Sequence, residues 1–186
     1  VKGKTTKYYA SEHLTYHSKG HVNFDFVDVN LNCDNELFID PCLLEASDCE
    51  EGIEAAAVLQ NFFDNLYEAL KKGDVKRYYY ILSNGHERNA TKLGYGNGDN
   101  GRGNSEEGLS RKLMPLWQLI KTVPFEKPMD LVLFIERFGM DGMSDLITNL
   151  ICRQLSQFTI KEFKKQGIKH FTELKHWYWD SQEEEW

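Results

Sequence analysis

The sequence predicts an α+β fold, in which an N-terminal β-hairpin or small sheet precedes a mainly helical body. Two short segments near the N-terminus have strand-like composition, and apolar residues recur at helical spacing over most of the remaining chain. The 186 residues are 41% hydrophobic and 13% aromatic, which suffices for one domain with a sizeable core.

The predicted hairpin pairs residues 23–31 with residues 36–40. Both segments are rich in aromatic and β-branched side chains, and the intervening residues 32–35 (Asn-Cys-Asp-Asn) are typical of a turn. Pro41 ends the second strand, and we expect it to hold Asp40 in an extended conformation.

Two helices are predicted next, over residues 51–70 and 74–82. Gly73 is expected to end the first helix, and Asp74 to cap the second. The first helix has a continuous apolar stripe, formed by Ala55, Leu59, Phe62, Leu66 and Leu70.

Residues 94–104 contain five glycines in eleven positions, a composition that predicts a loop. A helix should follow over residues 105–121, with a kink or break at Pro115. Residues 130–138 are assigned to a helix, although their apolar run also suits a buried strand.

The last predicted helices run from Asp141 or Ser144 to Gln157, and from Thr159, as N-cap, to Gln166. The predicted organisation is therefore a polar segment over residues 1–22 and a single α+β domain over residues 23–168. An aromatic and acidic tail follows over residues 169–186. The chain begins with a polar segment that lacks Met, and it ends in a polar stretch that contains aromatic residues. These two ends predict that the sequence is a piece of a longer protein.

Cellular placement follows from what the sequence lacks. It has no apolar run of about 18 residues and no signal peptide, which predicts a cytoplasmic protein without a membrane contact. The four cysteines form no C-x-x-C pair and are expected to be reduced thiols.

Charge is unevenly distributed along the chain. No Lys or Arg lies between Lys19 and Lys71, where twelve acids occur, whereas residues 71–127 hold eleven bases and six acids. We call residues 20–70 the acidic lobe and residues 71–127 the basic lobe. The two lobes either face each other or are simply solvated. Alternatively, the acids gather a divalent cation and the basic lobe holds phosphates. The net charge of −7 argues against strong non-specific DNA binding by this chain alone.

Four carboxylates are the candidate catalytic groups: Asp40, Glu87, Asp141 and Asp145. Asp40 follows an apolar strand, where metal-dependent phosphoryl enzymes place ligands. We expect Asp40, Asp141 and Asp145 to bind Mg²⁺ or Mn²⁺, because carboxylates that lie together repel unless a cation or proton is shared. The alternative is that Asp141 only caps its helix and Asp145 lies on a solvated helix face.

The glycine-rich loop is the candidate phosphate site, through Gly98, Gly101, Arg102 and Gly103. It has neither the Gly-Lys-Ser/Thr ending of a P-loop nor the preceding strand of a dinucleotide fold. Open backbone N–H groups, an arginine and a following helix N-terminus favour an anion. The alternative is a surface loop without a ligand.

Several of these segments together resemble uncharacterised bacterial proteins of mobile and anti-phage defence loci, over residues 24–168. The resemblance rests on Leu37-Phe-Ile-Asp-Pro41, on Glu87 before Leu93-Gly-Tyr-Gly and the glycine loop, and on residues 141–149. It implies a defence role. With the carboxylates, it suggests a metal-dependent, nuclease-type effector that contacts nucleic acid or a nucleotide and has a protein partner or forms a homo-oligomer. The alternative is a non-catalytic interaction module of a larger defence complex, in which the acidic lobe and the aromatic tail contact the partner.

Overall fold

The computed structural model describes residues 7–18, 25–85, 91–94, 127, 140–169, 171–172 and 177–186. The described part of the chain is helical. Its helices are α1 (Ala10–Ser18), α2 (Pro41–Glu45), α3 (Glu50–Lys72), α4 (Val75–Leu82), α5 (Met140–Leu150) and α6 (Cys152–Lys165).

Helix α3 is the centre of the core. The predicted apolar stripe is confirmed, because Phe62 and Leu66 are fully buried. The helix as a whole packs against α2, α4, α5 and α6. The helix ends as predicted at Gly73, whose φ of 71° lies in the left-handed region that glycine adopts without strain. At 23 residues α3 is long, but none of the described helices is both long and apolar enough to cross a membrane.

Helix α4 begins where the sequence predicts. The carboxylate of Asp74 accepts a hydrogen bond from the backbone N–H of Arg77 at 3.0 Å, which caps the helix. The helix packs on α3 through Tyr78, which is 1% exposed, whereas Tyr79 and Tyr80 face outward. Burial raises the pKa of the Tyr78 hydroxyl.

The predicted boundary between the last two helices is wrong. The break occurs at Ile151, and Thr159 lies inside α6, where its hydroxyl donates to the Leu155 carbonyl at 2.8 Å instead of capping a new helix. Ile151 is 1% exposed. The turn between α5 and α6 therefore forms at a buried apolar residue and not at a polar cap.

The predicted N-terminal hairpin, and with it the α+β class, is also wrong: the described residues contain isolated bridges and no β-strand. Asn30, in the first predicted strand, bridges Tyr9, and Asn35, in the predicted turn, bridges Leu93, so both pair with other parts of the chain. The side-chain amide of Asn35 binds both polar groups of the Asn30 backbone. Its oxygen accepts from the Asn30 N–H at 2.9 Å, and its nitrogen donates to the Asn30 carbonyl at 3.2 Å. Such side-chain bonds compete with a strand ladder.

Residues 177–186 dock on α3 and α4. Trp179 is 2% exposed, and its indole N–H donates to the side-chain oxygen of Asn61 at 2.8 Å. The Trp186 indole donates to the Ile81 carbonyl at 2.9 Å. The end of the predicted tail is therefore part of the helical core.

The acidic lobe meets later lysines at several points. Glu45 pairs with Lys127 at 3.4 Å, and Glu51 pairs with Lys161 at 2.7 Å. Asp25 also lies 3.3 Å from Lys165. Of these three pairs, the first joins the acidic lobe to the basic lobe over residues 71–127, whereas Lys161 and Lys165 lie beyond the basic lobe, in α6.

Candidate functional site

One side of α5 is polar although the helix lies inside the protein. At 100° per residue, five side-chain positions fall within an arc of about 140°, opposite the buried apolar residues of the same helix. Three of the five side chains are 3% exposed or less. We call this set the α5 polar arc: Asp141, Ser144, Asp145, Thr148 and Asn149.

Ser144 lies at one edge of the α5 polar arc and holds the segment that contains Asp40. Its hydroxyl oxygen accepts a hydrogen bond from the backbone N–H of Ile39 at 2.9 Å, and the Ser144 side chain is 2% exposed. The bond occupies a backbone donor that a hairpin partner would otherwise take. It brings residues 39–40 against the first turns of α5.

Asn149 lies at the other edge of the α5 polar arc and binds the chain two residues after the end of α4. Its side-chain amide donates to the carbonyl of Asn84, and the residue is fully buried. Asn84 lies three residues before Glu87.

Asp40 is extended before Pro41, as predicted, with φ −95° and ψ 117°. Its carboxylate caps α2 and accepts from the N–H of Cys42 at 2.8 Å. Partial desolvation, and after it the negative charges of Asp40 and Glu45, raise the pKa of the Cys42 thiol. The structure therefore gives Asp40 a local capping role that the sequence analysis did not include.

The start of the glycine-rich segment is anchored by Asn35. The Gly94 N–H donates to the Asn35 carbonyl at 2.9 Å, and the Asn35 N–H donates to the Lys92 carbonyl at 2.8 Å. Lys92 and Gly94 both have positive φ, 56° and 116°, so the chain turns sharply here. Asn35 lies only five residues before Asp40, which connects this turn to the segment held by Ser144.

The predicted site residues are only partly described. Asp40 and Asp145 are both half-buried, and Asp141 lies in α5 with a side chain outside the described set. Within the described residues, no group of three His, Cys, Asp or Glu side chains is arranged to hold a metal ion. The remaining predicted residues lie outside the described part of the chain: Glu87, Gly98, Gly101, Arg102 and Gly103.

Sequence reasoning missed the residues that organise this region. Ser144 and Asn149 appeared to be parts of a capping or solvated helix face, and Asn35 a turn residue. The available signal was the four-residue spacing of Ser144 with Thr148 and of Asp145 with Asn149, which aligns polar groups along one side of an otherwise apolar helix.

An apolar cleft lies elsewhere, between α1 and the end of α6. Its volume is about 460 Å³, and its lining includes Leu14, Leu31 and Phe163. Neither Asp40 nor Asp145, the predicted site residues whose side chains the structure describes, lines it. The α5 polar arc is therefore the better candidate for chemistry, because it combines carboxylates with buried hydrogen-bonding groups.

Comparisons with curated proteins and with solved structures found no match. The profile of one protein family matches residues 17–186, a span that contains α2 to α6 and every predicted site residue. On this match the chain belongs to the family described as Domain of unknown function (DUF8370).

Proposed function

We propose that this protein is a metal-dependent enzyme acting on phosphodiesters, of the nuclease type, with its site at the α5 polar arc. One observation carries the proposal: Ser144 and Asn149 bind the chain on either side of the two aspartates of α5. Asp141 and Asp145 occupy the middle of the arc, between the segment of Asp40 and the segment that leads to Glu87.

The chemistry of these groups suits a hard divalent cation. Carboxylate oxygens are the ligands that Mg²⁺ and Mn²⁺ prefer, and Asp40, Asp141 and Asp145 would supply them. Such a cation polarises a phosphoryl oxygen and lowers the pKa of a bound water. Glu87 would then serve as the acid or base group that moves a proton.

The substrate phosphate would bind to the glycine-rich segment. This segment begins at Gly94, which Asn35 anchors, and Gly98 to Gly103 follow within a few residues. Arg102 would add a fixed positive charge beside the glycine N–H groups.

A role in bacterial defence is the setting that the sequence resemblance implies, and it enters the proposal on that ground alone. The resemblance rests on the same segments, around Asp40, Glu87 and residues 141–149.

The test is the substitution Asp145→Asn, with cleavage of single- and double-stranded DNA and RNA measured in Mn²⁺. We expect cleavage to fall at least a hundredfold, because a lost ligand removes cation binding. If several carboxylates surround one cation as proposed, neutralising one of them should leave the melting temperature the same or raise it.

The matched control is Asp64→Asn, the same change on the exposed face of α3, where the carboxylate accepts a hydrogen bond from the Gln60 side chain at 2.9 Å. This variant should cleave like wild type. An Asp145→Asn protein that melts and cleaves like wild type would remove α5 from the mechanism.

A further inference from the structure

The C-terminal segment presents two aromatic side chains to solvent. Trp179 points into the core, whereas its neighbours Trp177 and Tyr178 are 63% and 38% exposed. Trp, Tyr and Arg are the residues enriched in the centres of protein interfaces, where they bury large areas at low entropic cost. Exposure of two such rings side by side therefore indicates a contact surface.

This surface is held rigidly by the rest of the chain. Residues Asp180 and Glu185 exchange two backbone hydrogen bonds, of 2.7 and 3.2 Å, which close a tight turn. The Arg77 guanidinium donates to the Glu184 carbonyl at 2.5 Å, and Glu184 has a φ of 56°. A glutamate keeps a left-handed backbone conformation only where its surroundings fix it. This turn is therefore preorganised for binding.

The charge carried by the same segment indicates what would bind there. Glu183, Glu184 and Glu185 are all exposed at this turn. Carboxylates attract cations, and so does the face of an indole ring. The chain itself uses this mode in the same segment, because the Arg153 guanidinium lies 5.2 Å from the centre of the Tyr178 ring and that of Arg77 lies 5.7 Å from the centre of the Trp179 ring.

We propose that Trp177, Tyr178 and Glu183–Glu185 form a docking surface for a basic, Lys- or Arg-bearing segment of a partner protein. The cation of such a segment would lie on the Trp177 ring while neighbouring cations pair with the glutamates. A nucleic acid fits less well, because its phosphates would face three carboxylates. This surface is separate from the α5 polar arc and does not depend on the proposed catalytic function.

The test uses a fluorescein-labelled octa-arginine peptide and the full chain, with binding followed by fluorescence anisotropy at physiological salt. We expect saturable binding to wild type. Trp177→Ala and the triple change of Glu183, Glu184 and Glu185 to Gln should each weaken it about tenfold or more. The triple glutamine variant keeps the indole ring, so it tests the surface even if Trp177→Ala folds poorly.

The matched control removes three carboxylates elsewhere, through Asp48→Asn, Glu50→Gln and Glu54→Gln around the start of α3, where all three are exposed. This variant should bind within about twofold of wild type, since only bulk charge changes. Equal loss in both triple variants, no binding by wild type, or Trp177-dependent binding of oligo-dT in place of the peptide would each overturn the proposal.

Discussion

Single asparagine amides decide the path of the chain where strands were expected. Asn35 accepts from the Asn30 N–H and donates to the Lys92 carbonyl, at 2.9 and 2.7 Å. Asn149 makes the corresponding bond to the Asn84 carbonyl from inside α5. An amide presents a donor and an acceptor at fixed spacing and so satisfies irregular backbone that has no strand partner.

Glu51 should make stability depend on pH. Its hydrogen bond from Lys161, and next the bond from its own backbone N–H, lower the pKa of its carboxyl below 4.5. A group whose pKa is lowered by folding stabilises the protein above its unfolded pKa and loses that contribution as the pH falls through its folded pKa. We expect Glu51→Gln to lower the melting temperature at neutral pH, with the difference from wild type shrinking toward about pH 3.

The control for this pH series is Glu54→Gln, one turn away on the exposed face of α3. Its melting temperature should follow wild type throughout the series. A gap between Glu51→Gln and wild type that has the same size at acidic and neutral pH would contradict the assigned ion pair with Lys161.

Among the elements, α3 and α4 were predictable almost to the residue. Their ends are local: Gly73 takes a positive φ, and Asp74 caps the next helix through bonds that span three residues. The break between α5 and α6 was not predictable in this way. It lies at Ile151, which has no side-chain cap and is buried in the core.

The start of α3 gives a prediction at this scale. A Cβ added at Gly52 would lie 2.6 Å from the Ser47 Cβ and 3.1 Å from the Cys49 sulfur, which caps the helix. Alanine improves helix propensity by about 1 kcal/mol, but the Ser47 contact requires the backbone of the turn to shift. We expect Gly52→Ala to destabilise the protein by about 1–3 kcal/mol in urea unfolding.

The double variant Ser47→Gly with Gly52→Ala tests the reason. Removing the Ser47 side chain takes away the atoms that the new methyl group would meet, so part of the lost stability should return. If Gly52→Ala is more stable than wild type, helix propensity outweighs the contact and the explanation is wrong.

For the whole molecule, the aromatic cluster joins the C-terminal segment to the core. The Trp179 ring lies 5.2 Å from Phe62 and 5.7 Å from Trp186, between centroids. Arg77 also stacks on Trp179, at 5.7 Å from the ring centre. The segment therefore closes over α3 and α4 and protects their contact from water.

Trp179→Ala should cost about 3–5 kcal/mol, because it removes a buried indole and leaves Asn61 without its donor. Hydrogen exchange should rise in residues 177–186 and in α4. Leu43→Ala on α2 provides the control, since the Leu43 side chain is 71% exposed and its loss should change stability by no more than about 0.5 kcal/mol. Equal protection of α4 in Trp179→Ala and wild type would show that the segment is not part of the core.

The candidate site was predictable in its parts and not in its assembly. The sequence identified Asp40, Asp141 and Asp145 as carboxylates in suggestive positions. It did not show that Ser144 and Asn149 bind the flanking segments, because those bonds join residues 105 and 65 positions apart. Pairings at such separation depend on how the helices pack.

The sequence by itself determined the local features: the apolar stripe of α3, the left-handed stop at Gly73, the Asp74 cap and the extended Asp40 before Pro41. Each of these depends on groups within a few residues of one another, whose preferred conformations are properties of the local chain. Tertiary structure alone decided that Asn30 and Asn35 replace a hairpin, that Ser144, Thr148 and Asn149 are buried and that Trp179 points inward. These outcomes depend on which distant surface covers each group, because burial requires every polar atom to find a partner there.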